Sequence, residues 1–311
     1  MLSSYPGRNS PAGRGRELLV LPNLLKIGPQ PPIRVHLRHQ GTLASRLNRL
    51  VDRGANYPFT LYRSRRGSLL VRWEGIGDFL IERQGRQITA QPASCVSFGS
   101  FRDLLLNTIP SFALVERSVE TLHASSVAWD SRAVAFLGPA GSGKSTLAAL
   151  LARSGWEVLS DDVLAVGRRG RQVLAYSAVP EIKLSPAAAR ALGLALRRLP
   201  PVEPGNPKRI WSRPAARRPR PLAALYFPRI AGSRRGGIRL VPLSRRATLR
   251  ALLGCTYNLT LLTRGRLRRQ FTLFTGIARN VPARRLLIPR GWDRLEEVRE
   301  RIEQDLAGLT R

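Results

Sequence analysis

Cysteine is scarce in this chain of 311 residues, which contains only Cys95 and Cys255. The two lie far apart and have no other Cys or His at metal-ligand spacing, so the sequence suggests neither a disulfide framework nor a zinc site. Long apolar runs are also lacking: no stretch approaches the roughly 20 residues that cross a bilayer, and the first residues lack the apolar region of a signal peptide. We therefore expect a cytoplasmic protein with no membrane partner.

Lysine and acidic residues are few as well. Only four lysines stand among the 52 basic residues, and 20 residues are acidic, which gives a formal net charge of +32. Such a charge ordinarily points to nucleic acid or an anionic surface. Here it is almost entirely arginine and is spread along the whole chain, as composition bias in a GC-rich genome would produce, so we do not expect nucleic acid as the partner. The densest basic stretch, 209–220, is interpreted as a solvated loop, with docking of an acidic partner as the alternative.

One segment matches the phosphate-binding pattern G-x-x-x-x-G-K-[ST] at every fixed position. It consists of Gly138, Pro139, Ala140, Gly141, Ser142, Gly143, Lys144 and Ser145, and Thr146 follows it. An apolar run at 133–137 precedes it, and leucines at helical spacing come after it. In such a P-loop the backbone N–H groups hold the phosphates, the lysine reaches the β- and γ-phosphate oxygens, and the serine hydroxyl ligates Mg²⁺. We therefore predict that residues 138–146 bind ATP with Mg²⁺, with GTP as an open alternative.

A pair of adjacent carboxylates, Asp161 and Asp162, begins 17 residues after Lys144. This spacing leaves room for one helix and one short return strand, so both carboxylates should emerge beside the P-loop. Phosphoryl transfer to a hydroxyl needs one carboxylate near the metal and another that accepts the proton of the attacking group. The pair could supply both, whereas a turn or a helix cap is the structural alternative.

The chain divides into three parts by composition and periodicity. Residues 1–30 are rich in Pro, Gly and Arg and are expected to be mobile; residues 31–120 are predicted to form an α+β accessory domain; residues 121–311 are predicted to form the nucleotide-binding core, ending in an amphipathic helix. In the accessory domain the pattern predicts strands and one helix. The strands are 33–37, 68–73, 78–83 and 87–90, and the helix is 43–51.

Residues 122–126, the P-loop and residues 155–163 together resemble the core of HPr serine kinase/phosphorylase, in which an upstream His and a downstream Gly-His-x-x-x-x-Asp-Asp flank the P-loop. That core is related to the one in phosphoenolpyruvate carboxykinase. The resemblance covers about residues 120–200 well and the rest of the C-terminal half loosely. It implies an α/β fold, with a P-loop nucleotide-binding core of the HPr kinase/phosphoenolpyruvate carboxykinase type and a smaller α+β N-terminal domain, and a homo-oligomer.

The same resemblance implies roles for individual residues. Asp161 would be the general base, with Lys144 and His123 as further catalytic residues near the phosphates, whereas Asp162 and Glu181 would join Ser145 at the metal. From the residue alone, His123 is better explained as a structural histidine; with the resemblance, the structural and catalytic interpretations are equally favoured.

Three departures from the family pattern concern the acceptor. Trp156 replaces the family's histidine, Thr146 replaces a glutamate, and residues 180–185 keep only the start of the family's signature segment. Because that segment is tied to phosphorylase action and to HPr, another acceptor fits better: a protein or peptide serine, with a PqqD-like peptide carrier as the leading kind of partner.

Several functions therefore stay open. The first is an ATP-dependent kinase that transfers the γ-phosphoryl group to a serine hydroxyl of a protein or peptide partner. The alternative is a nucleotide-responsive binding module that acts with a peptide-carrier or peptide-modification system without phosphotransfer. A nucleic-acid-stimulated NTPase is suggested only by charge, and a small-molecule kinase is possible.

Overall fold

The computed structural model describes residues 18–20, 32–38, 43, 49–53, 58–203, 205–214, 216 and 218–309. It is a mixed α/β structure with two large sheets and a two-stranded ribbon. The strands are β1 (Leu18–Val20), β2 (Arg34–Leu37), β3 (Arg49–Arg53), β4 (Phe59–Arg63), β5 (Leu69–Trp73), β6 (Gly77–Glu82), β7 (Gln87–Pro92), β8 (Glu120–Trp129), β9 (Arg132–Leu137), β10 (Glu157–Ser160), β11 (Val163–Arg169), β12 (Gln172–Ala175), β13 (Glu181–Leu184), β14 (Arg209–Ser212), β15 (Arg220–Ile230), β16 (Arg239–Pro242) and β17 (Ala283–Ile288).

Seven α-helices accompany these strands within the described residues. They are α1 (Phe98–Asp103), α2 (Ile109–Glu116), α3 (Lys144–Arg153), α4 (Pro186–Ala191), α5 (Arg245–Gly254), α6 (Arg264–Asn280) and α7 (Leu295–Gly308). A π-helical turn at Leu104–Thr108 joins α1 to α2, so that the two form one bent rod with Pro110 in the first turn of α2, where a missing N–H costs nothing. No helix in the described part of the chain is long and apolar enough to cross a membrane.

The first sheet contains β1 to β7 in the order β1-β2-β7-β6-β5-β4-β3, and all its pairings are antiparallel except that of β2 with β7. Burial alternates along β6, as expected for a sheet with one covered face. The rod of α1 and α2 provides that cover: Phe79 stacks on Phe101 with ring centroids 5.4 Å apart, and Phe59 meets Phe112 edge-on. The rod thereby connects this sheet to the second one.

The second sheet has eight strands, and the long strand β8 pairs on one edge with β9 and on the other with β10 and then β11. β9 continues in parallel to β15, and β15 to β17. One face is covered by α3, α4 and α7 and the other by α5 and α6, which contribute, for example, Leu151 and Ile302 on the first side and Phe274 on the second. Helices on both faces account for the nearly continuous apolar sequence of β9.

Two sequence-based predictions of local structure were wrong. The helix predicted at 43–51 conflicts with β3, which pairs residue by residue with β4, because strand pairing overrides the leucine spacing; residues 44–48 lie outside the described residues. The basic stretch 209–220 is not one loop, since its first residues form β14 and pair with β13. Of residues 1–30, only Leu18–Val20 are described, as a strand paired with β2.

Candidate functional site

A glycine turn, residues 138–143, connects the end of β9 to the start of α3. Its glycines Gly138, Gly141 and Gly143 have φ values of +147°, +79° and +93°, which residues with a Cβ rarely adopt. Gly143 is the N-cap of α3 and provides no side-chain hydrogen bond to the first turn. The N–H groups of that turn therefore have no side-chain cap and point out of the helix N-terminus toward the turn.

Lys144 folds back over the glycine turn. Its Nζ donates hydrogen bonds to the carbonyl oxygens of Gly138 and Pro139, both at 2.9 Å, and the residue is only 5% exposed. Beside it, the buried Ser142 Oγ has no hydrogen-bond partner in the structure. A buried hydroxyl without a partner and an uncapped helix N-terminus both call for an acceptor, and a phosphate oxygen supplies one. The residues of the turn therefore fit a phosphate group.

Asp161 lies next to this turn because β8 and β10 are neighbours. It stands opposite Ser125 of β8, and its Oδ1 accepts hydrogen bonds from the Ser125 hydroxyl and, at 2.9 Å, from Ser145 Oγ at the start of α3. Its Oδ2 accepts the backbone N–H of Lys183 at 3.0 Å. Burial, together with the Asp162 charge, raises the pKa of Asp161 to about 6, although the three hydrogen bonds oppose the rise. Asp161 is thus enclosed, with only 4% of its surface exposed, and its pKa lies close to neutral pH.

Asp162 follows in a strained turn. Its φ is +67°, and the N–H of Val163 donates to the carbonyl of Asp161 at 2.9 Å, which is a γ-turn with positive φ, a rare conformation. The turn directs the Asp162 carboxylate to Lys183 Nζ, 3.0 Å away. Although burial opposes it, the Lys183 ammonium holds the pKa of Asp162 below its usual range. The two adjacent carboxyl groups therefore titrate in opposite directions from the ordinary value.

The rod that covers the first sheet also reaches this site. Asp103, at the end of α1, lies 2.8 Å from Lys183 Nζ, so the ammonium stands between Asp103 and Asp162. One residue earlier, Arg102 makes two hydrogen bonds, of 2.6 and 3.0 Å, to the carboxylate of Glu181. The structure thus pairs Glu181, predicted as a metal ligand, with Arg102, and its role at the metal stays a prediction.

His123 lies on β8, where its ring stacks on Tyr257 with centroids 6.0 Å apart. The backbone N–H of His123 donates to the Cys255 carbonyl at 2.7 Å, which connects the end of α5 to β8. Burial and the nearby Lys144 charge lower the pKa of His123. The histidine therefore stands within electrostatic range of the lysine, on the wall of the same site.

Arg102, Asp103 and Ser125 were missed by sequence reasoning. Arg102 and Asp103 precede the glycine turn by some 35 residues and belong to α1, and no local pattern marks them. Ser125 lies inside the segment that carried the family resemblance, and its pairing with Asp161 follows once β8 and β10 are known to be neighbours.

The oxygen groups at this site suit a hard divalent cation. Within the described residues, no three His, Cys, Asp or Glu side chains converge as a metal site. Mg²⁺ in nucleotide sites is bound by one or two carboxylates together with substrate phosphates, so such a cluster is not required. Ser145 Oγ, Asp161 and Asp162 provide a hydroxyl and two carboxyl groups beside the glycine turn, and they fit the ion by donor type.

A cavity of about 980 Å³ lies at the other end of β9, away from the glycine turn. Trp129 and Trp156 line it, and their rings stand 5.8 Å apart. Trp156 is thus a buried side chain that packs beside Trp129 at this end of the sheet.

The site and the two sheets define a mixed α/β protein with a glycine-rich strand–turn–helix segment flanked by two carboxyl groups. No protein-family model matches the chain, and no curated protein matches it. Among solved structures, the chain is similar to the HPr(Ser) kinase/phosphatase from Coxiella burnetii, with 12% identity, 60% of this chain and 98% of that chain covered, and a TM-score of 0.29. A likeness at this score is weak and concerns the fold alone.

Proposed function

We propose that the protein is an ATP-dependent kinase that transfers the γ-phosphoryl group to a serine hydroxyl of a protein or peptide partner. One observation carries the proposal: an uncapped helix N-terminus with an unpaired buried hydroxyl stands next to Lys144 and Ser145, and Ser145 Oγ is 2.9 Å from a carboxyl group whose pKa is raised to about 6. This combination offers phosphate binding and proton acceptance in one place.

The glycine turn would hold the nucleotide phosphates. Lys144 Nζ now donates to two carbonyl groups of its own loop, and it would exchange them for β- and γ-phosphate oxygens, which are stronger acceptors. The N–H groups of the first turn of α3 and the Ser142 hydroxyl would complete the phosphate contacts. These donors stabilise the charge that spreads over the transferred group.

Asp161 would accept the proton of the acceptor serine. When Ser145 Oγ turns toward the phosphates, Asp161 Oδ1 loses one of its two donors and can accept another hydroxyl. The serine oxygen then bonds to the γ-phosphorus, the bond from that phosphorus to the β,γ-bridging oxygen breaks, ADP leaves, and the serine proton passes to Asp161. Asp162, whose pKa is lowered, would stay ionised throughout. Mg²⁺, when bound by Ser145 and Asp162, would neutralise charge on the β- and γ-phosphates.

Phosphotransfer from γ-labelled ATP is the test. Wild-type protein is incubated with Mg²⁺ and a lysate of the source organism, and labelled residues are identified by mass spectrometry. We expect a phosphoserine that disappears with Lys144→Ala, which also loses ATP affinity, and with Asp161→Asn, which retains it. Matched controls are Arg153→Ala, which removes a cation from the far end of α3, and Asp130→Asn, in a turn at the opposite end of β9. Both should label as the wild type does.

The second candidate, a nucleotide-responsive binding module, is favoured by the ion pairs of α1. Asp103 and Arg102 join the rod of α1 and α2 directly to β13, so a nucleotide that displaces Lys183 would also disturb this contact. ATP binding that Lys144→Ala abolishes, with no labelled acceptor, would favour the module over the kinase.

The remaining expectations stay predictions. They are a cytoplasmic location, a homo-oligomer, a PqqD-like carrier as partner, and ATP in preference to GTP.

A further inference from the structure

The helix α6 carries exposed apolar side chains among arginines on its outer face. Leu262, Leu267 and Phe271 are 43%, 48% and 59% exposed. Leu262 and Leu267 occupy the positions just before the N-cap and at the fourth residue of α6, which adjoin each other at a helix entry, and Leu267 and Phe271 are one turn apart. Arg264 and Arg268 share this face. We refer to these five residues as the α6 surface.

A small cavity adjoins the α6 surface at Leu262. It has a volume of about 240 Å³ and is lined by Leu262, Thr260 and Arg269, and by Arg63 of β4 and Glu116 of α2. The hydroxyl of Thr260 is buried and has no hydrogen-bond partner in the structure. A pocket of this size accepts one large apolar side chain, and the hydroxyl offers a polar contact at its edge.

The charge around the α6 surface selects an acidic occupant. In the part of the chain that the structure describes, Arg264, Arg268 and Arg269 form no ion pair. The sequence contains no Asp or Glu from residue 204 to residue 292, and Glu116, which lines the cavity, is already paired with Arg63. A second copy of the chain, itself at +32, would bring arginines against arginines. Nucleic acid would satisfy the arginines but gains little from leucines, since bases stack on aromatic rings.

The α6 surface is also firmly connected to the candidate site. On the inner face of α6, Arg266 and Gln270 donate to the buried carboxylate of Glu120, the first residue of β8, at 3.1 and 2.9 Å. Arg266 also donates to the carbonyl of Tyr257 at 2.8 Å, and Tyr257 stacks on His123. A chain docked on α6 is therefore held at a fixed position relative to the wall of the site.

We infer that the α6 surface and its adjoining cavity dock an acidic segment of the acceptor protein, one that presents apolar side chains between carboxylates and places one of them in the cavity. The identification of the docked chain with the phosphoryl acceptor rests on the proposed function; the binding itself does not.

A fluorescent peptide of about 18 residues, five turns of helix with Glu on one face and Leu and Phe on the other, is a suitable probe. Its affinity is measured by anisotropy in about 50 and about 200 mM salt, beside a scrambled peptide of the same composition and a single-stranded DNA of similar charge. We expect the amphipathic peptide to bind more tightly than both. The double variant Leu267→Ala/Phe271→Ala should weaken it at least tenfold, and Arg264→Glu/Arg268→Glu should weaken it and remove most of its salt dependence.

Two controls keep the result specific to this surface. Trp292→Ala removes an exposed aromatic residue elsewhere, and Arg239→Glu reverses an exposed charge on β16; both should bind the peptide as the wild type does. No binding to the wild type, equal binding of the scrambled peptide, or an unchanged affinity of the Leu267/Phe271 variant would overturn the inference. Tighter DNA binding that depends on the arginines alone would also overturn it and identify a nucleic-acid contact.

ATP affinity, measured in the same samples, separates this inference from the proposed function. The α6 variants should retain the ATP affinity of the wild type, since they lie outside the glycine turn. If Lys144→Ala bound ATP normally, the kinase proposal would fail whatever the peptide data showed. If the peptide failed to bind while Lys144→Ala lost ATP, only the docking surface would be wrong.

Discussion

Relative to the wild type, the variant Asp161→Asn should gain stability as the pH rises from about 4 to 8. The folded chain raises the pKa of Asp161 from the ordinary 3.8 to about 6, first through burial and second through the Asp162 charge. Between these values the folded state keeps a proton that the unfolded state releases. The stability which that proton contributes is therefore present at low pH and lost as the pH rises through 6.

The size of the effect follows from the difference between the two pKa values. A rise from 3.8 to about 6 corresponds to about 3 kcal/mol between the extremes of pH, and about 2.5 kcal/mol of it falls between pH 4 and pH 8. Asn cannot titrate, so the variant does not lose this stability as the pH rises. It cannot accept the hydrogen bonds of Ser125, Ser145 and the Lys183 N–H equally well, but that penalty does not change with pH.

Calorimetric Tm values of both proteins across this range provide the assay. For a unit of 150–250 residues, 1 kcal/mol moves Tm by about 2–4 °C, so the difference in Tm between Asp161→Asn and the wild type should grow by about 5–10 °C from pH 4 to pH 8. Asp162→Asn is the matched control, since Asn tolerates positive φ and the pKa of Asp162 is lowered. The Asp162 carboxylate stabilises the fold at pH values above its ordinary pKa, so Asp162→Asn should be less stable than the wild type at pH 8. The difference in Tm between the two should narrow below about pH 4.

A Tm difference for Asp161→Asn that stays constant across the range would refute the reasoning. It would mean that Asp161 does not titrate between the two pH values, and the support that the raised pKa gives to a proton-accepting role would be lost. A difference that shrinks as the pH rises would mean that the hydrogen bonds outweigh burial and hold the pKa low.

Three further predictions concern packing and backbone. A double-mutant cycle on Arg102→Ala and Glu181→Ala should give a coupling of about 1 kcal/mol in chemical denaturation, because the pair is bidentate but partly exposed, and zero coupling would exclude a stabilising contact of α1 with β13 through this pair. Glu120→Gln leaves a buried guanidinium unpaired, so it should cost about 3–5 kcal/mol of stability, and a cost below 1 kcal/mol would contradict the buried pair. Gly143→Ala should destabilise by about 1–2 kcal/mol and weaken ATP binding because of its positive φ, whereas Gly254→Ala, in the last turn of α5, should be neutral or stabilising; equal effects would contradict the backbone argument.

The strand–turn–helix segment around the glycine turn could be predicted because every signal for it is local. The apolar run of β9, the glycines at positive φ and the leucines of α3 lie within about 20 consecutive residues, and the structure has each element where the pattern indicated it. The position of Asp161 beside the turn followed from chain length alone, since one helix and one return strand fill the interval. Whether these residues bind a nucleotide stays a prediction.

The partners of the carboxylates could not be predicted, because they come from distant segments. Asp103 and Lys183 are 80 residues apart, and their contact exists only because the rod of α1 and α2 packs on both sheets. The strand β3 was missed for a related reason: its residues favour a helix by spacing, but their pairing with β4 decides the outcome. Local patterns carry no information on either kind of long-range pairing.

The charges between α1 and β13 couple the rod of α1 and α2 thermodynamically to the candidate site. Alternate residues of a strand share one face, so Glu181 and Lys183 present a negative and a positive charge to the consecutive residues Arg102 and Asp103. Although burial lowers it, the carboxylates of Asp162 and Asp103 raise the pKa of Lys183, so the ammonium stays charged around neutral pH. An anion beside Asp162 competes with Asp103 for that ammonium. Linkage is reciprocal: if anion binding weakens the contact of α1 with β13 by some free energy, that contact weakens anion binding by the same amount. Removal of Asp103 should therefore strengthen anion binding at this site.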